Sequence, residues 1–90
     1  VAQIVISEFM EPAAVEDLAA DFEVRYDPTL FERPDELGAL LAPARALIVR
    51  NRTEVRGPVL AAGGRLEAIG RLGVGLDNID VEACRARGIK

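Results

Sequence analysis

Three short runs of this 90-residue chain read as strand ends that could meet at one edge, Ser7-Glu8, Arg50-Asn51-Arg52 and Gly73-Val74-Gly75, and the last two hold groups that could grip a small anion. Glycine has no Cβ to hold a ligand off, so two glycines around one residue can present bare backbone N–H groups to a carboxylate, phosphate or sulfonate. A guanidinium adds a forked, permanently charged donor for the same chemistry. The glycines belong to Arg71-Leu72-Gly73-Val74-Gly75-Leu76-Asp77-Asn78-Ile79-Asp80, which follows the alternating segment 66–70 and precedes a short helical stretch from Val81 to Gly88. The run reads either as a binding edge or as a tight strand-to-helix turn with no ligand. It departs from the dinucleotide fingerprint, which sets a third glycine three residues after the second. Asn78 stands at that position, and Asp80 as N-cap starts the helix late.

Other chemistries are excluded by what the chain lacks. It contains no histidine, so serine-histidine, cysteine-histidine and imidazole acid/base chemistry are absent from these residues, as are the common zinc sites. A single cysteine, Cys84, can form neither an internal disulfide nor a metal cage, and on the apolar face of its helix it reads as a small buried hydrophobe. A net charge of −4 with an isoelectric point near 4.8 argues against a nucleic-acid partner, whose phosphates demand a basic stripe. No apolar run approaches bilayer length and no basic segment leads into an apolar one, so no membrane is expected and the default compartment is the cytoplasm.

The elements that must position these groups follow from local pattern. Gln3-Ile4-Val5-Ile6-Ser7 is the β-branched run of a strand buried on both faces. Glu11-Pro12 opens a helix whose apolar residues Ala14, Val15, Leu18, Ala19 and Phe22 should lie on the sheet. Residues 21–27 alternate apolar with charged side chains, as a strand near the sheet edge does. Residues 28–34 read as a loop, and a helix over 35–41 is opened by Pro34 and stopped by Pro43. Ala46-Leu47-Ile48-Val49 should be a central strand. A third helix is expected over 55–62 with Gly63 and Gly64 as its stop, then a strand over 66–72, the glycine turn, and the helix capped by Asp80 and ended by Gly88.

Strand and helix therefore alternate four times, the signature of one α/β domain with a parallel sheet covered on both faces. Ligands of such sheets bind beyond the carboxyl ends of the strands, where strand order reverses, and the three runs named above are those ends. Arg50 and Arg52 would alternate in direction if their strand continued, so at most one of them would point at a given ligand. Gly88-Ile89-Lys90 hands the chain back to its sheet where a fifth strand should begin, as expected of a segment of a longer chain.

Ile48-Val49-Arg50-Asn51-Arg52-Thr53-Glu54-Val55, and more strongly residues 69–80 with Ala83 and Arg87-Gly88-Ile89 after them, resemble the D-isomer-specific 2-hydroxyacid dehydrogenases, the family that includes phosphoglycerate dehydrogenase. The first half of the chain shares only the strand-helix rhythm, although Ile4–Glu8 suits the family's first strand. The resemblance implies a flavodoxin-like substrate-binding domain, of which residues 1–90 would be the N-terminal part, truncated before its fifth strand. The NAD-binding Rossmann domain would lie outside this chain. It further implies that Arg50 and Asn51 lie in a substrate-contacting loop and that Val74 and Gly75 offer N–H groups to the substrate carboxylate. Val74 would also touch the nicotinamide, while Asp77 and Asn78 would hold the turn. The family's catalytic arginine, glutamate and histidine would all lie beyond Lys90, leaving no catalytic residue here. The implied reaction is hydride transfer between NAD and a small anionic 2-hydroxy or 2-oxo acid, by a homodimer when full length. Two arginines in the loop favour an acid with a second anionic group, a phosphate or sulfonate.

A non-enzymatic, NAD-sensing corepressor on the same scaffold is the alternative that shares the Gly-Leu-Asp-Asn-Ile-Asp turn. A receiver-like module fits poorly, with Ser7-Glu8 in place of an aspartate pair and Arg50 where the third strand would end in aspartate. A flavin-binding module lacks its Ser/Thr/Gly-rich phosphate cradle after the first strand.

Overall fold

The computed structural model describes residues 2–73 and 75–90. Its elements run β1 (Ile4–Ile6), α1 (Pro12–Ala19), β2 (Val24–Tyr26), α2 (Pro34–Leu41), β3 (Ala46–Val49), α3 (Gly57–Ala62), β4 (Ala68–Arg71) and α4 (Val81–Ala86). All strand pairs are parallel and the order is β2-β1-β3-β4, so the chain reverses direction across the sheet between β1 and β3. That reversal, with right-handed crossovers, sets α1 on one face and α2 and α3 on the other, the flavodoxin-like arrangement.

The continuous apolar runs take the middle of the sheet as their composition demands. Val5 pairs with Leu47, and Leu47 with Ile69, so these side chains share one face. They pack there with Leu37 and Leu41 of α2, Leu60 of α3 and Cys84 of α4 in a single cluster. Cys84 is buried in it, and burial first, then the Asp80 carboxylate, raises its thiol pKa against the opposing pull of Arg87. The alternating segment forms the β2 edge, with Arg25 outward and Val24 and Tyr26 half-buried. Proline sits in the first turn of α1, α2 and α3, where its missing N–H costs no helical bond. Asp80 caps α4 by accepting from the Ala83 N–H at 3.0 Å, and Gly88 ends it at φ +73°.

Four expectations are corrected. Helix α1 forms, but no residue of it is buried: Ala14, Val15 and Leu18 are half-covered, and Phe22 beyond it is 43% exposed. Two turns over the short edge strand are too small a lid for the broad apolar face expected. The segment 28–34 is not all loop. The Asp27 carboxylate accepts from the Thr29 N–H at 3.0 Å, and the chain then winds one 3₁₀ turn, Leu30–Glu32, that buries Leu30 completely. Helix α3 starts at Gly57 because Val55 is held extended, bridged in parallel to Ile79. Strand β4 spans only Ala68–Arg71, since Leu66 turns into the core with its N–H on the Gly63 carbonyl. The last residues lie along β4: Lys90 donates to the Glu67 carbonyl and accepts from the Ile69 N–H.

Candidate functional site

The carboxyl ends of β1, β3 and β4 bring the three polar runs to one edge. Ser7 extends the ladder by donating its N–H to the Ile48 carbonyl, and Leu72 does the same to Val49 at 2.8 Å. The following residue of β1 is Glu8, 4% exposed, whose carboxylate points into the loop after β3. Its Oε2 accepts from the Arg50 N–H at 2.8 Å, the Thr53 N–H at 2.9 Å and the Thr53 hydroxyl at 2.8 Å, while Oε1 accepts from the Arg52 N–H at 3.0 Å. The Ser7 and Thr53 hydroxyls are 2.7 Å apart. Burial pushes the Glu8 carboxyl pKa up, but the four hydrogen bonds outweigh it and hold the group below its ordinary 4.5. The loop thus favours the charged form of Glu8, with Oε2 accepting three bonds and Oε1 one.

Asn78 grips the same loop from the other side. It is 4% exposed, and its Nδ2 donates to the carbonyls of Arg50 at 2.9 Å and Thr53 at 2.8 Å. Its Oδ1 accepts from Arg71 Nε at 2.8 Å. Two further backbone bonds tie the loops together, Val55 N–H to the Asn78 carbonyl at 2.8 Å and Asp80 N–H to the Val55 carbonyl at 3.0 Å. Among the described residues no buried side-chain nitrogen or oxygen lacks a partner.

With the backbone so fixed, the loop's side chains turn outward. Arg52 lies over the Phe31 ring, 5.4 Å from its centroid, in a cleft of about 220 Å³ lined by Glu8, Phe9, Pro28, Arg50 and Asn51. Arg50 and Asn51 also line a second cleft, of about 270 Å³, together with Arg71, Leu72 and Gly73. Arg50 is exposed, and among the described residues its guanidinium has no hydrogen bond or ion pair. Strand β3 ends at Val49, so the expected alternation does not carry through residues 50–52: both arginines line the first cleft, and of the two only Arg50 reaches the second. Gly73 at φ +142° and Gly75 at φ +86° hold conformations that a side chain resists, and both are exposed. Gly73 and Gly75 are thus open to solvent, and Gly73 shares the second cleft with Arg50 and Asn51. Val74, expected to contact both substrate and cofactor, lies outside the described residues.

This edge does not fit a dinucleotide as its main holder. Where the fingerprint has a third glycine, Asn78 is buried and fully engaged, and the start of α4 is already occupied by the Asp80 carboxylate.

Sequence reasoning placed Glu8, Arg50, Asn51 and Gly75 at this edge but did not read Glu8, Thr53 and Arg71 as its framework. The one available signal was a carboxylate directly after a strand buried on both faces, at the carboxyl edge of the sheet.

A parallel sheet of order β2-β1-β3-β4 between helices, with Arg50 and Gly73 sharing a cleft at its carboxyl edge, defines a flavodoxin-like α/β domain. The sequence model of the D-isomer specific 2-hydroxyacid dehydrogenase catalytic domain matches residues 4–90, and the chain belongs to that family. It is 55% identical over 86 residues to an (S)-sulfolactate dehydrogenase of Chromohalobacter salexigens, covering 96% of this chain and 28% of that one. It is 41% identical over 88 residues to a D-3-phosphoglycerate dehydrogenase of Mycobacterium bovis, covering 96% of this chain and 16% of the relative. Among solved structures, NAD⁺-bound 3-phosphoglycerate dehydrogenase of Entamoeba histolytica superposes with a TM-score of 0.79 at 26% identity, covering 98% of this chain and 31% of the other. The chain thus spans less than a third of the length of each. No helix among the described residues is long and apolar enough to cross a membrane.

Proposed function

We propose that residues 1–90 are the N-terminal part of the substrate-binding domain of an NAD-dependent oxidoreductase. The whole protein would transfer hydride between NAD and a small anionic 2-hydroxy or 2-oxo acid. The observation that carries this reading is the shared cleft of Arg50, Asn51, Arg71, Leu72 and Gly73 at the ligand edge of the sheet. Gly75 offers its N–H to the substrate carboxylate, and Arg50 and Asn51 orient the rest of the molecule with side-chain donors. Arg52, in the adjoining cleft, favours an acid with a second anionic group. Sulfolactate and phosphoglycerate, named for the relatives, both carry one. NAD, held chiefly by a domain outside these residues, supplies the hydride chemistry when bound; the present residues bind and orient. The working form is a cytoplasmic homodimer. No observation of the cleft favours the corepressor alternative.

The test is the full-length protein assayed for NADH formation with (S)-sulfolactate, D-3-phosphoglycerate, lactate and glycerate. Turnover of the first two with kcat/KM at least about 10-fold above the last two is expected, the discrimination of one charged contact. Absence of NAD-dependent turnover of any 2-hydroxy acid overturns the reading.

A further inference from the structure

Ser7, Glu8, Thr53 and Asn78 are the buried polar side chains among the described residues; Glu8 and Asn78 bind the backbone of residues 50–53, and the Thr53 hydroxyl, itself met by that of Ser7, donates to Glu8. The N–H groups of Arg50, Arg52 and Thr53 go to Glu8; the carbonyls of Arg50 and Thr53 go to Asn78. Three converging amides beyond the β1/β3 switch point are the seat in which a parallel α/β sheet holds a ligand's anion. Here the chain's own carboxylate already sits in it. A substrate anion meets filled amides at the switch point and a bare glycine turn one strand further on, with Arg50 between the two clefts.

We propose that Glu8 is a positioning residue for the substrate cleft: it occupies the switch-point amides as an internal anion and, by fixing the backbone of residues 50–53, aims Arg50 toward the glycine turn. Glu8 lines the Arg52 cleft, but its carboxylate oxygens are turned to the loop amides and the Thr53 hydroxyl, so it acts on the substrate through Arg50 rather than by a bond of its own. Its charge matters because a neutral amide of the same shape has one acceptor oxygen in place of two, so one of the two sets of loop N–H groups would face an NH₂ that cannot accept. The inference rests on the reading that Arg50 contacts the anionic substrate, and the experiment separates the two.

The experiment is a double-mutant cycle in the full-length protein, with (S)-sulfolactate and D-3-phosphoglycerate as substrates. Glu8→Gln alone is expected to raise KM roughly 10-fold with kcat changed by less than about 2-fold, because it displaces a binding contact and leaves the reacting groups in place. In an Arg50→Ala background the same substitution should change KM by less than about 2-fold, since its effect passes through the missing side chain. A merely structural role for Glu8 would multiply in both backgrounds. An unchanged KM in Glu8→Gln beside a raised KM in Arg50→Ala overturns this inference and leaves the substrate reading standing, and full multiplication in the double variant does the same. An unchanged KM in Arg50→Ala removes Arg50 from the site and takes the inference with it.

A second readout needs no substrate. Hydrogen exchange at the Arg50, Arg52 and Thr53 amides of the full-length protein should accelerate at least about 10-fold in Glu8→Gln, and an unchanged rate overturns the proposal. Should Glu8→Gln fail to fold, Glu8→Asp takes its place in both measurements. It keeps the charge but draws it back by about 1.5 Å, one C–C bond, from the amides.

Discussion

Replacing Asn78 by alanine removes three hydrogen bonds at once, and their geometry sets the cost. Two are amide-to-carbonyl bonds, to Arg50 at 2.9 Å and Thr53 at 2.8 Å, and the third accepts from the Arg71 guanidinium at 2.8 Å. Arg71 is half-exposed and can recruit water in exchange, whereas Thr53 is 1% exposed and its carbonyl would lose a partner that water cannot readily replace. Two neutral bonds at about 1 kcal/mol each, with the desolvated carbonyl adding about another, put the local loss near 3 kcal/mol. The loss falls on residues 50–55 rather than on the whole domain, because Val5, Leu47 and the helices packed on them do not depend on Asn78. The assay is hydrogen exchange with mass spectrometry on peptides spanning 50–56 and 4–9 of the full-length protein. The first peptide should exchange roughly 100-fold faster, the ratio that 3 kcal/mol commands, and the second should be unchanged. Asn78→Asp should do at least as much harm, since it sets a carboxylate oxygen against two carbonyls. Exchange within about threefold of wild type in both variants would refute the idea that Asn78 pins the loop.

Two further outcomes follow from the same framework. Because the folded-state pKa of Glu8 lies below its ordinary 4.5, the stability it contributes is complete above that value and is lost as pH falls through the lower folded value. Loop protection, corrected for intrinsic exchange, should therefore be flat down to about pH 4.5 and decline below it, and Glu8→Gln should abolish the decline. At the glycine turn, Gly73→Ala should lower the melting temperature of the full-length protein more than Gly75→Ala. Both hold positive φ, but Gly73 at +142° lies far from the left-handed well an alanine can enter and Gly75 at +86° lies nearer it; Arg71 Nη1, 3.1 Å from a Cβ at Gly73, is the tip of a flexible side chain and adds less. The strain at Gly73 is about 1–3 kcal/mol, and equal melting temperatures would contradict it.

The parts of this fold written in local pattern were legible. The unbroken apolar runs Ile4–Ile6 and Ala46–Val49 name the strands that lie inside the sheet, and the alternation around Val24–Tyr26 marks the edge. Pro12, Pro34, Asp80 and Gly88 fix helix ends by short-range stereochemistry. What stayed hidden depends on partners far along the chain. Glu8 reads only as a polar strand end until the loop 42 to 45 residues away closes on it, and Asn78 reads as a turn-former until it reaches back 25 to 28 residues. The start of α3 was misplaced for the same reason, since Val55 has helical company in sequence and is claimed by Ile79 in space. Phe22 was expected to lie on the sheet because its spacing is helical, but spacing does not say how much sheet is there to cover it.

In the proposed function an anionic 2-hydroxy acid is held between the exposed Gly73 and Gly75 and the exposed guanidinium of Arg50. The most direct measurement is the KM of the full-length Arg50→Ala variant for (S)-sulfolactate or D-3-phosphoglycerate. A rise of roughly 10-fold or more is predicted, the loss of about 1.5–3 kcal/mol that a charged hydrogen bond contributes. A KM equal to that of the wild type would contradict the account.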